Sequence, residues 1–103
     1  MKQIINGKRY DTDTATQIAS WSNGAQINDF RWCSETLYRT QSGAHFLHAR
    51  GGPMSEYGEQ VPGARRGSSN LKPLCVEEAV AWLEKRGLAE ALEREFPDKI
   101  QDA

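Results

Sequence analysis

A chain of 103 residues, 38% hydrophobic and 26% charged, is sized for one compact domain spanning residues 1 to 103; it is too short for two independent cores and too apolar for a disordered tail. The net charge of −1 conceals a split, nine Lys/Arg against six Asp/Glu in residues 1 to 73 and four against eight in residues 74 to 103, which predicts a basic side and an acidic side without the dense basic patch of a typical nucleic-acid binder. The absence of a long apolar run predicts neither signal peptide nor membrane span and places the protein in a cytoplasm, and Cys33 and Cys75, far apart and outside any CxxC pattern, read as reduced structural thiols.

The chain opens with a hairpin signal. Asn6-Gly7 joins "KQII" to "KRYD", and Asn-Gly is the favoured pair where both central turn residues need positive φ. The next segment, "DTDTATQIAS", offers Asp13 or Thr14 as a cap, Gln17 three residues after Thr14, and Ala15, Ile18 and Ala19 on one face. This predicts a short helix of about two turns, stopped at Asn23-Gly24 and dependent on tertiary packing.

"WCSETLYRT" and "AHFLHAR", joined by Gln41-Ser42-Gly43, predict a second hairpin through a type I turn with glycine in the left-handed bulge position. If Thr40 pairs with Ala44, Tyr38 opposes Phe46 and Leu37 opposes Leu47. One face then holds Trp32, Thr36, Tyr38, Phe46 and His48. The other holds Cys33, Leu37, Leu47 and Ala49, with Arg39 and His45 near the turn. Which of the two faces is covered stays open, since Leu37 and Leu47 argue for one and Tyr38 and Phe46 for the other.

Residues 51 to 70 are rich in Gly, Ser, Pro and Arg and read as a loop of about twenty residues, longer than most in a compact domain and therefore a place for function. Beyond it, Asn70 to Leu74 reads as a short strand. A helix starts near Val76, with Val76, Ala79, Val80 and Leu83 on its apolar face, Lys85 and Arg86 in its last turn and Gly87 as its cap. A second helical segment aligns Leu88, Ala91, Leu92 and Phe96 before Pro97. The predicted fold is α+β: a small antiparallel sheet of two hairpins plus a short strand, a short N-terminal helix, and two C-terminal helices packed on one face.

Chemistry is sparse. His45 and His48, three apart on a strand, point to opposite faces and cannot readily share an ion, so no metal site and no cofactor are expected. Cys75 at a helix start opposes its own activation through Glu77 and Glu78, and with Glu78 three residues on it reads as a capping box with an unusual cap residue. Gly51-Gly52-Pro53 lacks the pattern of a phosphate loop and does not lead into a helix, leaving a plain turn or a hinge. No nucleophile, base and orienting group stand together, so no catalytic residues are assigned and no enzymatic activity is expected. Trp82 reads as a core residue whose indole N–H needs a partner. The binding candidates are Arg50, Met54, Glu56, Tyr57, Arg65 and Arg66 in or beside the loop, where Met, Tyr and Arg suit contact surfaces, and Glu77 and Glu84 on the acidic helix.

"IINGKRYDT", "ETLYRTQSGAHFLH", "GGP" and "PLCVEEAVAWLE", in that order across nearly the whole chain, resemble a group of small proteins carried by bacteriophages and other mobile elements, among which anti-CRISPR inhibitors occur. Cys75 departs from the Ser or Thr more usual there, which bears on the helix cap alone. The resemblance transfers no catalytic residue. It implies a stoichiometric inhibitor in a bacterial host cytoplasm whose partner is a Cas protein or CRISPR effector complex. Acidic helices standing in for nucleic-acid phosphates, or Arg50, Arg65 and Arg66 docking on protein, would serve that role, and both routes predict salt sensitivity. A small nucleic-acid-binding accessory protein using Lys8, Arg9, Arg31, Arg39, Arg50 and the loop arginines is the competing expectation.

Overall fold

A computed structural model describes residues 1–55 and 57–103. Among them are eight strands and two α-helices: β1 (Lys2–Ile5), β2 (Lys8–Asp11), β3 (Thr16–Ser22), β4 (Cys33–Arg39), β5 (His45–Gly51), β6 (Glu59–Val61), β7 (Ala64–Arg66), β8 (Ser68–Leu74), α1 (Val76–Lys85) and α2 (Ala89–Glu95), followed by a 3-10 turn at Pro97–Lys99. The central sheet is antiparallel in the order β3-β4-β5-β8, and β1-β2 and β6-β7 are separate two-stranded ribbons. No helix among the described residues is long and apolar enough to cross a membrane.

The expected fold needs correcting in three places. The N-terminal helix does not exist: Thr16–Ser22 is edge strand β3, and both helices are C-terminal. Its register on β4 shifts between Gln17 and Ala19, so Ile18 is the extra residue of a bulge. Ile18, Ala19 and Trp21 thereby all pack on the helix side, while Ser20 and Ser22 stay exposed on the other. A bulge mimics helical spacing over three residues, which is why Ala15, Ile18 and Ala19 misled. Upstream, Asp11 accepts backbone N–H groups of Asp13, Thr14 and Ala15, so the Asp/Thr cluster makes a turn rather than a helix cap.

The sheet is also larger than two hairpins plus a short strand, because β3 joins it and β8 runs seven residues. Third, the segment 51 to 70 is not one loop. It contains β6 and β7, turned at Pro62-Gly63 with Gly63 at φ +76°, and the first residues of β8. Pro73 lies on β8, an edge strand, where a missing N–H costs least.

Local signals elsewhere act as expected. Asn6 and Gly7 take φ of 51° and 76° between β1 and β2. In the β4-β5 hairpin Thr40 N–H reaches Ala44 O at 2.8 Å and Gly43 sits at φ 93°, giving the expected pairs Tyr38 with Phe46 and Leu37 with Leu47. Glu78 Oε1 accepts the Cys75 N–H at 2.9 Å in a capping box. At the other end of α1, Gly87 N–H bonds Glu84 O and Leu88 N–H bonds Leu83 O, a Schellman stop that drops Leu88 onto the core.

Both sheet faces are covered, so the choice between them dissolves. On one side Leu37 and Leu47 pack with Ala79, Trp82, Leu83, Leu92 and Phe96 from the helical layer. On the other, Tyr10 of the N-terminal ribbon packs with Phe46 and Leu71, its ring edge-on to Phe46 at 5.5 Å while Tyr38 stacks on Phe46 at 5.2 Å. The ribbon covers only part of that face. Thr36 and His48 lie half-buried on it, and Arg50 is exposed.

Candidate functional site

At one end of the molecule two connecting segments meet. Residues 23 to 32 are closed by Asn23, whose side chain donates to Arg31 O at 2.7 Å and accepts from Ala25 and Cys33 N–H, and by Asp29, which accepts the Arg31 N–H. This segment is stitched to the exit of β5 by two backbone bonds of 2.7 Å, Gly52 N–H to Trp32 O and Met54 N–H to Phe30 O. A Cβ at Gly52 would stand 2.7 Å from Phe30 O, so the glycine is there for close approach, not as a hinge. Arg65 Nε donates to Pro53 O at 2.7 Å and ties in the β6-β7 ribbon.

The scaffold displays apolar side chains outward. Ile27, Phe30 and Met54 are 70%, 68% and 57% exposed. Phe30, Pro53, Met54, Ala64 and Arg65 line one open cavity of about 580 Å³. Large apolar side chains held out on a rigid frame beside a cation are the makeup of a protein contact surface.

The expected binding residues scatter. Met54 and Arg65 are at this end. Arg66 pairs with Glu59 at 2.8 Å, the mutual hydrogen bond lowering the carboxyl pKa and raising the guanidinium pKa. Arg50 stacks over Trp32 at 5.2 Å. Glu56 lies outside the described residues. Glu77 and Glu84 are on the opposite layer, lining a shallow depression with Val80, Ala81 and Lys99. Tyr57 turns inward: its hydroxyl donates to Glu35 Oε2.

Glu35, which sequence reading passed over, is the centre of a buried network. It is 3% exposed. Its Oε1 accepts Trp82 Nε1–H at 2.8 Å and is gripped by Arg86, with Nη2 at 2.7 Å and Nε at 2.8 Å. Arg86 in turn lies over the Trp21 ring at 3.5 Å. The expectation for Trp82, a core ring with a hydrogen-bonded indole, is met here. The signal for Glu35 was available, since it sits between Cys33 and Leu37 on the inward stripe of a strand, where a charge must find partners.

A second buried carboxylate, Glu95, accepts from Arg39 and from His45 Nε2, the latter at 2.9 Å. Burial pushes its pKa up, but the His45 and Arg39 hydrogen bonds and charges outweigh that and hold it below the ordinary carboxylate range. His45, near the turn as expected, is thus buried and lies against Phe96. His48, on the other face opposite Thr36, bonds Ser69 Oγ at 2.9 Å. Burial and the nearby Arg50 and N-terminal charges lower its pKa. Cys33 is buried and Cys75 exposed, and the Glu78 and Glu77 carboxylates leave the Cys75 thiol pKa raised despite the lowering backbone bond.

Comparison with protein-family models, curated proteins and solved structures finds no match.

Proposed function

We propose that the protein is a stoichiometric inhibitor that binds a Cas protein or CRISPR effector complex in a bacterial host cytoplasm and occludes nucleic-acid binding or subunit contacts, with no catalytic step of its own. The binding role is carried by one observation, the projection of Ile27, Phe30 and Met54 into solvent from a frame pinned by two backbone bonds and one arginine contact. Monomeric surfaces tolerate scattered apolar residues, but a cluster of this kind marks a contact site. The target class is supported by the ordered sequence blocks that resemble the mobile-element proteins. Of the two docking routes, the cluster favours the one through Arg65 and its apolar neighbours, with the acidic helices on the far layer as the other.

The test is capture of purified CRISPR effector complexes by the tagged protein, with and without target DNA, comparing wild type with Phe30→Asp/Met54→Asp and with Glu77→Lys/Glu84→Lys. The expected result is capture of one complex with loss of its DNA binding, abolished by the aspartates and retained by the lysines. Loss with the lysines alone moves the contact to the helices. Capture of no complex by the wild type defeats the reading.

A nucleic-acid accessory role keeps one specific support: Arg50 over Trp32 beside His48, a cation and a ring on the uncovered part of the sheet, the pairing used by single-strand grooves. It requires retention on DNA that weakens steeply with salt. Of the other arginines invoked for it, Arg39 is engaged by Glu95 and Arg66 by Glu59.

A further inference from the structure

Between the helical layer and the β8 edge of the sheet lies a cavity of about 390 Å³, within the ~300–1,000 Å³ of small-ligand sites. Its apolar surface comes from Leu47, Ala49 and Leu74 on the sheet and from Trp82 and Ala81 on α1. Two carboxylates line it, and both are already held. Glu35 carries Trp82, Arg86 and Tyr57, and Glu78 Oε1 carries the Cys75 N–H. Two ammonium groups, Lys72 from β8 and Lys85 from α1, line it as well, and among the described residues neither forms an ion pair. Glu78 lies within electrostatic range of Lys72, which leaves Lys85, among the described residues, as the cation without an ion-pair partner.

We infer that this cleft binds a small organic monoanion with an apolar body, an aryl or alkyl carboxylate, its hydrocarbon against Trp82, Leu47 and Leu74 and its charge between Lys85 and Lys72. A cation is disfavoured because the site's carboxylates already have their donors, and a neutral molecule would leave the lysines unused. The site is on a different part of the molecule from the Phe30/Met54 surface, so neither stands on the other.

The probe pair is 3-phenylpropionate and 3-phenylpropanamide, equal in shape and different in charge. The readout is the Trp82 indole N–H resonance, assigned with Trp82→Phe. The carboxylate shifts that resonance in a saturable way, and the amide does so at least about fivefold more weakly. Lys72→Gln/Lys85→Gln weakens carboxylate binding by about the same factor. Ala81→Leu, at an exposed helix position, fills the cleft and abolishes the shift while leaving the fold intact. Equal binding of amide and carboxylate, indifference to the lysine changes, or a Trp82 resonance that the carboxylate never moves each overturns the proposal.

Discussion

The helical layer is bolted to the sheet at two points, and the two use the same chemistry in opposite directions. At one, a glutamate on the sheet, Glu35, receives an arginine and an indole from α1 and its C-terminus. At the other, a glutamate at the end of α2, Glu95, receives an arginine and a histidine from the β4-β5 hairpin. The carboxylates are almost equally buried, their side chains 4% and 8% exposed. Their arginines are not: Arg86 is 13% exposed and Arg39 41%. A buried ion pair stabilises little on balance, but breaking it is costly in proportion to how deeply the surviving charge is trapped. The surroundings differ too. Glu35 and Tyr57 border the cleft at the β8 edge, whereas Glu95 bonds a buried His45 whose ring lies against Phe96.

The largest effect follows from that asymmetry. Glu35→Leu strands the Arg86 guanidinium and removes the acceptor of Trp82 and Tyr57, and should cost about 3–5 kcal/mol, a large part of the ~5–15 kcal/mol of a small domain. Glu95→Leu frees an arginine that can turn to water, and should cost about 1–2 kcal/mol. Urea unfolding of the two variants measures both. Equal losses would break the argument that partner exposure decides. Adding Arg86→Met to Glu35→Leu should restore most of the stability, because the trapped charge is gone. Trp82→Phe, which keeps an aromatic ring in the core but deletes one donor to a charged acceptor, should fall between, at about 2–3 kcal/mol.

These bolts explain what could and could not be read from the chain. Features set by neighbouring residues were legible: the Asn6-Gly7 turn, the Gly43 bulge that fixes the β4-β5 register, the Glu78 capping box, the Gly87 stop. β3 was not, because its bulge at Ile18 reproduces a helical offset, although the alternation of Trp21 with Ser20 and Ser22 was there to be weighed. Pro62-Gly63 between "EQV" and "ARR" was an overlooked turn signal, hidden by the low apolar content of its flanks. Glu35 was detectable as a charge on an inward stripe, but its partners were not, since Trp82 and Arg86 lie 47 and 51 residues away. The same holds for His45, whose partner Glu95 is 50 residues distant. Of the binding candidates, Met54 and Arg65 fell at the exposed apolar end, while Phe30 and Ile27 were missed because nothing local marks an apolar residue as held out of the core.

Acid should weaken the Glu95 bolt. The Glu95 pKa is lowered on folding, so its contribution is complete above the unfolded carboxylate value and is lost as pH falls through the lower folded one. The wild type should therefore lose stability below about pH 4.5 in part through this group. Glu95→Gln removes the titration, so its deficit relative to wild type should shrink as pH is lowered across that range. A deficit constant with pH would mean that packing against Phe96, not charge, is what Glu95 supplies.

The smallest effect on stability belongs to a region that neither bolt touches. Ile27, Phe30 and Met54 are already largely in water, so Phe30→Asp/Met54→Asp removes little buried apolar area. The frame beneath them is held by backbone bonds from Gly52 and Met54 that do not depend on those side chains. The double variant should unfold within about 0.5 kcal/mol of wild type. A larger loss would mean that these side chains support the fold, and the contact surface would have to be sought elsewhere. An unchanged midpoint would separate presentation from stability: the protein would then carry apolar groups in water whose removal costs the fold nothing, as a contact surface requires.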